Sequence, residues 1–240
     1  MLTTDSLTVP GRHALLLAPT SLAAAPGQPL LVAAEPQDTR TVHALALTAR
    51  RRAGSGSVAW NGDASPGAVR RASVLVDSPQ INEPERHLRL ADLVAEDLAL
   101  LPAPFWRRPR ARAWLRRHGA EHLARTWVDA LDPAERLHLM LELALEDTSA
   151  ELVVVDSPDR HGLEDGVWLG LLRAAAAHPR GPAVVAVVSR LPDGWDGPSA
   201  AAGQDSAAAG QDSAAAGPGD TPCGEDSAAT ALPDPMEASA

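Results

Sequence analysis

Two stretches place chemistry-bearing residues where a fold could use them. The first opens with the apolar run Leu30–Ala34, breaks at Glu35-Pro36-Gln37-Asp38-Thr39-Arg40, and resumes from Thr41 with helical spacing at Val42, Leu45, Ala46 and Ala49. A strand, a tight loop and a helix is the layout in which backbone N–H groups at a helix start face an anion. Written against the phosphate-loop pattern G-x-x-G-x-G-K-[ST], residues 34–41 keep only the final Thr41; Arg40 stands for the lysine and no glycine remains. The second stretch is Leu152-Val153-Val154-Val155-Asp156-Ser157-Pro158-Asp159. It reads as a buried parallel strand delivering a carboxylate at its C-terminal end, where open α/β sheets place ligands. A capping aspartate at a strand exit reads equally well from this stretch alone.

The elements that must position these residues follow from the rest of the chain. Leu7–Val9 and Ala14–Leu17 read as short strands around Pro10-Gly11, and Ser57–Trp60 as a strand running into the hairpin signal Asn61-Gly62. Ser73–Val76 is another strand, ending at Asp77-Ser78-Pro79-Gln80. From about residue 85 to 146 the pattern is helical. Leu90, Leu93, Val94, Leu98 and Leu101 share a face, and Asp132-Pro133-Ala134-Glu135 carries an N-cap, a first-turn proline and an acid at the third position. Leu163–His178 predicts a helix and Ala183–Val188 a last buried strand. Strands alternating with helices, with a helical insertion, predict an α/β layer architecture.

Composition narrows the chemistry. The 240 residues contain 21 arginines and no lysine, which removes lysine from every catalytic role. Of 31 acids, eight lie in 196–240, a stretch without a base; the preceding 195 residues hold 23 acids against 21 arginines and are nearly neutral. That balance argues for no polyanionic partner. The lone Cys223 permits no internal disulfide or cysteine metal cage. No apolar run reaches membrane-span length and the N-terminus lacks a secretory pattern, so a cytoplasmic protein without direct membrane insertion is expected. The stretch Phe105–Trp127 interleaves arginines with Trp106, Trp114 and Trp127; Arg stems over Trp are an ordinary cover for a helical subdomain, and no nucleic-acid partner is expected. Residues 196–240, with the repeat A-A-A-G-Q-D-S, read as a disordered, acidic low-complexity tail following a domain of 1–195.

In this order the segments resemble the nucleotide-binding domain of an ABC transporter, over about Leu7–Trp195. Ala44–Asp63 is similar to the family's helix followed by S-G-x-V-x-x-x-G; Asp77–Gln80 stands at the Q-loop, Leu131–Arg136 at the signature L-S-G-G-Q-x-x-R, Leu152–Pro158 at the Walker B run, and Ser189-Arg190 at the switch S-H. The resemblance implies a P-loop NTPase-like ABC ATPase fold, a mixed sheet with helices and an inserted helical subdomain. It implies a nucleotide site from Gln37, Asp38, Thr39, Arg40, Thr41, Gln80 and Asp156, with Thr41 and Asp156 as the pair that holds Mg2+. Asp132, Pro133, Ala134 and Glu135 take the signature position.

The departures bear on mechanism. Gln37 and Thr39 replace glycines, at about 1 kcal/mol each if positive φ is required. Ser157 occupies the position of the catalytic Glu and Arg190 that of the switch His. Asp132-Pro133 puts a carboxylate where a γ-phosphate is bound and removes an N–H, which also argues against self-pairing. The expectation is an ATP-binding-subunit-like protein that is catalytically silent, binds ATP·Mg2+ weakly or not at all, and lies at the inner membrane face through a permease or a second, active ABC ATPase. The family's permease contact falls on Gln80–Leu101. An active ATPase using Arg40 for Lys and Asp159 for Glu, and a soluble scaffold on the same fold, are the alternatives.

Overall fold

The computed structural model describes residues 1–203. In chain order these form β1 (Leu2–Pro10), β2 (Leu15–Ala24), β3 (Pro29–Ala33), α1 (Gln37–Leu47), β4 (Ser55–Trp60), α2 (Pro66–Ala72), β5 (Ser73–Val76), α3 (Leu90–Leu100), α4 (Ala111–Arg117), α5 (Pro133–Glu146), β6 (Leu152–Asp156), α6 (Asp165–Ala176), β7 (Ala183–Val188) and β8 (Ser199–Ala201). The expected α/β class, with parallel and antiparallel sheets, is what the chain adopts. β2, β1 and β4 make an antiparallel sheet; β5-β6-β7-β3-β8 make a parallel one.

The parallel sheet is apolar on both faces, and strand alternation divides its side chains between two cores. Leu31, Val153, Val155, Val184 and Ala186 pack with the helices of 90–176. Leu30, Val32, Leu152, Val154 and Val185 pack with α1 and the antiparallel sheet. Asp156 and the residues after β3, β5 and β7 thereby reach one edge of the sheet.

Three expectations change. α1 begins at Gln37 rather than Thr41: Pro36 sits extended before it, its carbonyl accepts from Thr39 N (2.9 Å), and Asp38 complements the first-turn dipole. Nothing between Gln37 and Arg40 breaks a helix. Asn61-Gly62 forms a tight turn with both φ positive (49° and 84°), but the returning side is one bridge from Trp60 to Asp63 before Ser65 caps α2. Lastly, ordered chain continues past Trp195. Ser199–Ala201 pairs with Leu31–Ala33 on the open edge of β3, where small side chains fit and backbone hydrogen bonds suffice. The remainder of the low-complexity stretch, 204–240 with Cys223, lies outside the described residues. Among the described residues no helix is long and apolar enough to cross a membrane.

One buried group of α1 couples the fold to pH. His43 is fully buried and neither ring nitrogen has a hydrogen-bond partner. Burial lowers its pKa from 6.5 to about 4. The unfolded chain therefore takes up a proton that the folded chain refuses between pH 6.5 and 4, and stability falls as pH drops through that window. The full difference corresponds to about 3 kcal/mol. Urea unfolding at several pH values should show this slope, and His43→Leu should flatten it.

Candidate functional site

The C-terminal edge of the parallel sheet carries two joined polar clusters. The first is built on α1 and the end of β6. Between β3 and α1 the turn is only Ala34-Glu35-Pro36. Arg40, on the first turn of α1, points back under it and is buried. Its Nη1 donates to Ala34 O (3.2 Å) and lies 2.8 Å from Glu35 Oε2; its Nη2 donates to Gln37 Oε1 (2.7 Å), and its Nε to Ser157 Oγ (3.0 Å). Gln37 Nε2 in turn donates to Ser157 Oγ (2.9 Å) and Thr41 Oγ1 (3.2 Å), and lies 3.5 Å from Asp156 Oδ1.

Asp156 and Ser157 are both fully buried. Ser157 Oγ donates to Asp156 Oδ1 (2.8 Å) while taking the Arg40 and Gln37 bonds; Ser78 Oγ donates to Asp156 Oδ2 (2.7 Å). Both carboxylate oxygens and the Ser157 hydroxyl are thus engaged. Ser157 sits at φ 53°, a left-handed conformation unusual for serine, fixed by its N–H to Val187 O (2.8 Å) and by the hydroxyl contacts.

The second cluster centres on Asp77, at the end of β5, also left-handed (φ 55°) and 1% exposed. Its Oδ1 accepts from Arg136 Nη2 and Arg160 Nη2 (2.9 Å each), and its Oδ2 lies 2.6 Å from His161 Nε2. Glu83 Oε1 stands 3.6 Å from Arg160 and 3.9 Å from Arg136. Burial alone pushes the Asp77 carboxyl up, but the His161 hydrogen bond and the charges of Arg160 and Arg136 outweigh it and hold the group below its ordinary range. Arg160 Nη1 also donates to Asp156 O (3.0 Å), which joins the two clusters.

Of the residues expected at a nucleotide site, Gln37, Arg40, Thr41 and Asp156 come together, with Ser157, at the position of the catalytic Glu, among them. Gln37 and Thr39 lie in helix without positive φ, so the expected strain does not arise. Asp38 faces solvent. Gln80 does not join the site: Asn82 clamps the loop through Ser78 N and Leu75 O, leaving Gln80 exposed at its tip (φ 61°), and Ser78 reaches Asp156 instead. Arg190 turns out to the surface toward Asp165 Oδ2 (3.1 Å). Asp132 accepts from Ala134 N (2.9 Å) and Glu135 N (3.3 Å) as a helix cap behind Pro133. Asp159 Oδ2 is held by Ser189, and its Oδ1 is buried without a partner. The Asp77 cluster was not singled out in the sequence; its signal was an acid at a buried strand end, the same pattern as Asp156.

Solved structures share this arrangement of strands and helices. A Pyrococcus furiosus protein assigned as the ATP-binding protein of an ABC transporter superimposes over 84% of this chain and 96% of its own, with TM-score 0.62 and 13% identity. MJ1267, an ATP-binding cassette of an ABC transporter, covers 80% and 82% at TM-score 0.61 and 15% identity. The fold is that of an ATP-binding cassette. cbiO1 from Clostridium perfringens, part of the ABC transporter complex cbiONQ, matches 79% of this chain and 78% of its own at TM-score 0.58 and 13% identity. No family model and no curated protein matches the sequence.

Proposed function

We propose that this chain is a catalytically silent subunit of the ATP-binding-cassette type that docks on an integral membrane permease, alone or beside an active ABC ATPase. The observation that carries the silence is the Arg40 guanidinium. It lies buried beneath the turn after β3, donates hydrogen bonds to Ala34 O, Gln37 Oε1 and Ser157 Oγ, and is ion-paired with Glu35. A phosphate brought there must break that set and meet the Glu35 carboxylate.

The other residues fit Mg·ATP no better. A three-residue turn supplies no wrapping row of backbone N–H groups. Thr41 Oγ1 receives the Gln37 amide, and both oxygens of Asp156 receive hydroxyls, so Mg2+ would compete with these donors at each ligand. Asp159, the acid that would have to replace the missing Glu, is tied to Ser189.

Docking rests on a groove of about 350 Å3 lined by Ile81, Asp97, Leu100, Leu101, Met140 and Leu143, among others. Its place beside the β5 loop and α3 coincides with the Gln80–Leu101 contact that the family resemblance implies. Ile81 and Leu100 are 55% and 81% exposed at its lining, and Asp97 has its pKa raised to about 6 by burial and by Glu96. A largely apolar groove, with Asp97, Asp147 and Arg50 in its lining, suits a short permease helix.

Titration of the full chain with Mg·ATP is expected to give no binding below the millimolar range and phosphate release at the buffer rate. Capture from solubilised membranes should recover a multi-span protein, and Leu100→Arg should lose it without lowering Tm. Micromolar ATP binding with turnover abolished by Asp156→Ala overturns the silent reading. Recovery of no integral membrane protein overturns docking and favours a soluble scaffold.

A further inference from the structure

The segment after α3 displays what a folded protein ordinarily hides. Leu100, Phe105 and Trp106 are 81%, 77% and 71% exposed within seven residues of chain, and Phe105 is the only phenylalanine in the protein. The two rings meet edge to face, with centroids 5.0 Å apart and planes at 83°. The other tryptophans of this region are accounted for: Trp114 is buried and stacked on His118, and Trp127 lies under the Arg89 guanidinium at 4.3 Å. Among the described residues the one ring that Trp106 meets is Phe105, and most of its surface stays exposed.

Charge identifies what could cover it. Residues 103–117 hold six arginines and no acid. Four are committed: Arg108 Nε donates to Ala103 O (2.8 Å), Arg112 and Arg116 pair with Glu121, and Arg117 pairs with Glu146. Arg107 and Arg110 are exposed and their side chains have no partner among the described residues. Two free cations are too few to track a nucleic-acid backbone. Beside the exposed Phe105 and Trp106 they match a different surface. Trp and Phe settle at the level of lipid headgroups, and arginines flanking them are drawn to anionic lipid. Pro102, Pro104 and Pro109, with the Arg108 clamp, hold the loop in shape, so little ordering cost accompanies contact.

We propose that the loop 103–110 is a membrane-surface contact that seats Phe105 and Trp106 in the headgroup layer of a bilayer and pairs Arg107 and Arg110 with anionic phospholipid. It lies on the surface and spans nothing, and it needs neither nucleotide nor permease.

Vesicle flotation with the full chain tests this. Binding is expected to vesicles of mixed phosphatidylglycerol and phosphatidylcholine, at least about tenfold tighter than to phosphatidylcholine alone, and weakened by salt. Phe105→Ser/Trp106→Ser should abolish it. Arg107→Gln/Arg110→Gln should erase the preference for anionic lipid while leaving the residual binding. All four side chains are exposed, and an unchanged Tm shows that the variants fold. Equal binding by the aromatic double variant, or no vesicle binding, overturns the proposal. So does release of bound protein by single-stranded RNA, which would make the loop a nucleic-acid contact, or self-association that needs Phe105 and Trp106. The assay contains no permease or ATP, so its failure leaves the proposed function standing.

Discussion

Asp77→Ala is expected to destabilise the protein by about 3–5 kcal/mol, the range for removing one partner of a buried charge cluster. The wild-type carboxylate, 1% exposed, is the shared acceptor for Arg136 and Arg160 and contacts His161. Without it the two guanidinium groups face each other with only Glu83, at 3.6 and 3.9 Å, for compensation. Arg136 has no slack to absorb the loss, because its Nε is already buried without a hydrogen-bond partner. Asp77→Asn separates charge from shape: it keeps the volume and an acceptor oxygen, so a loss close to that of the alanine variant assigns the cost to charge. Urea unfolding at neutral pH measures both. The pH dependence has a definite sign. Because the folded carboxyl titrates below its ordinary range, its contribution is complete above the unfolded pKa and is lost as pH falls through the folded one. Wild type and Asp77→Ala should therefore converge only in strong acid, below the window in which His43 acts.

Most of the scaffold could be read from the sequence, and the failures have local causes. Leu152–Val155 and Ala183–Val188 announce buried parallel strands because a sheet covered on both faces leaves no polar alternation. Asp132-Pro133-Ala134-Glu135 marks the start of α5 because capping chemistry is local. β8 was invisible: three small residues carry no period, and only the open edge of β3 recruits them. Within the site, Asp156, Arg40, Gln37 and Thr41 lie together, with Ser157 between them. Gln80 and Arg190 were placed by alignment to a motif, and alignment cannot see that Asn82 pins the preceding loop or that Asp165 draws Arg190 outward. The Asp77 cluster depends on Arg136 and Arg160, 59 and 83 residues away in the chain, and a single sequence gives no such pairing.

Arg40→Ala is expected to cost about 2–3 kcal/mol, and the partition of that loss tests what the residue does. The Glu35 carboxylate is 62% exposed, so its ion pair with Arg40 is screened and adds little. The loss comes from the buried hydrogen bonds to Ala34 O, Gln37 Oε1 and Ser157 Oγ, each charge-assisted and each leaving an acceptor short of a donor. Glu35→Gln should accordingly change stability by less than about 0.5 kcal/mol. Arg40→Lys restores the residue type that a phosphate loop uses, yet a single ammonium cannot reproduce a planar fork reaching three acceptors. It should recover less than half of the loss and confer no ATP binding, because the turn before α1 remains three residues long. Thermal unfolding of the three variants with and without Mg·ATP measures both effects together. A nucleotide-dependent rise in Tm for Arg40→Lys would mean that the guanidinium alone was blocking a competent site, and that the short turn is no obstacle.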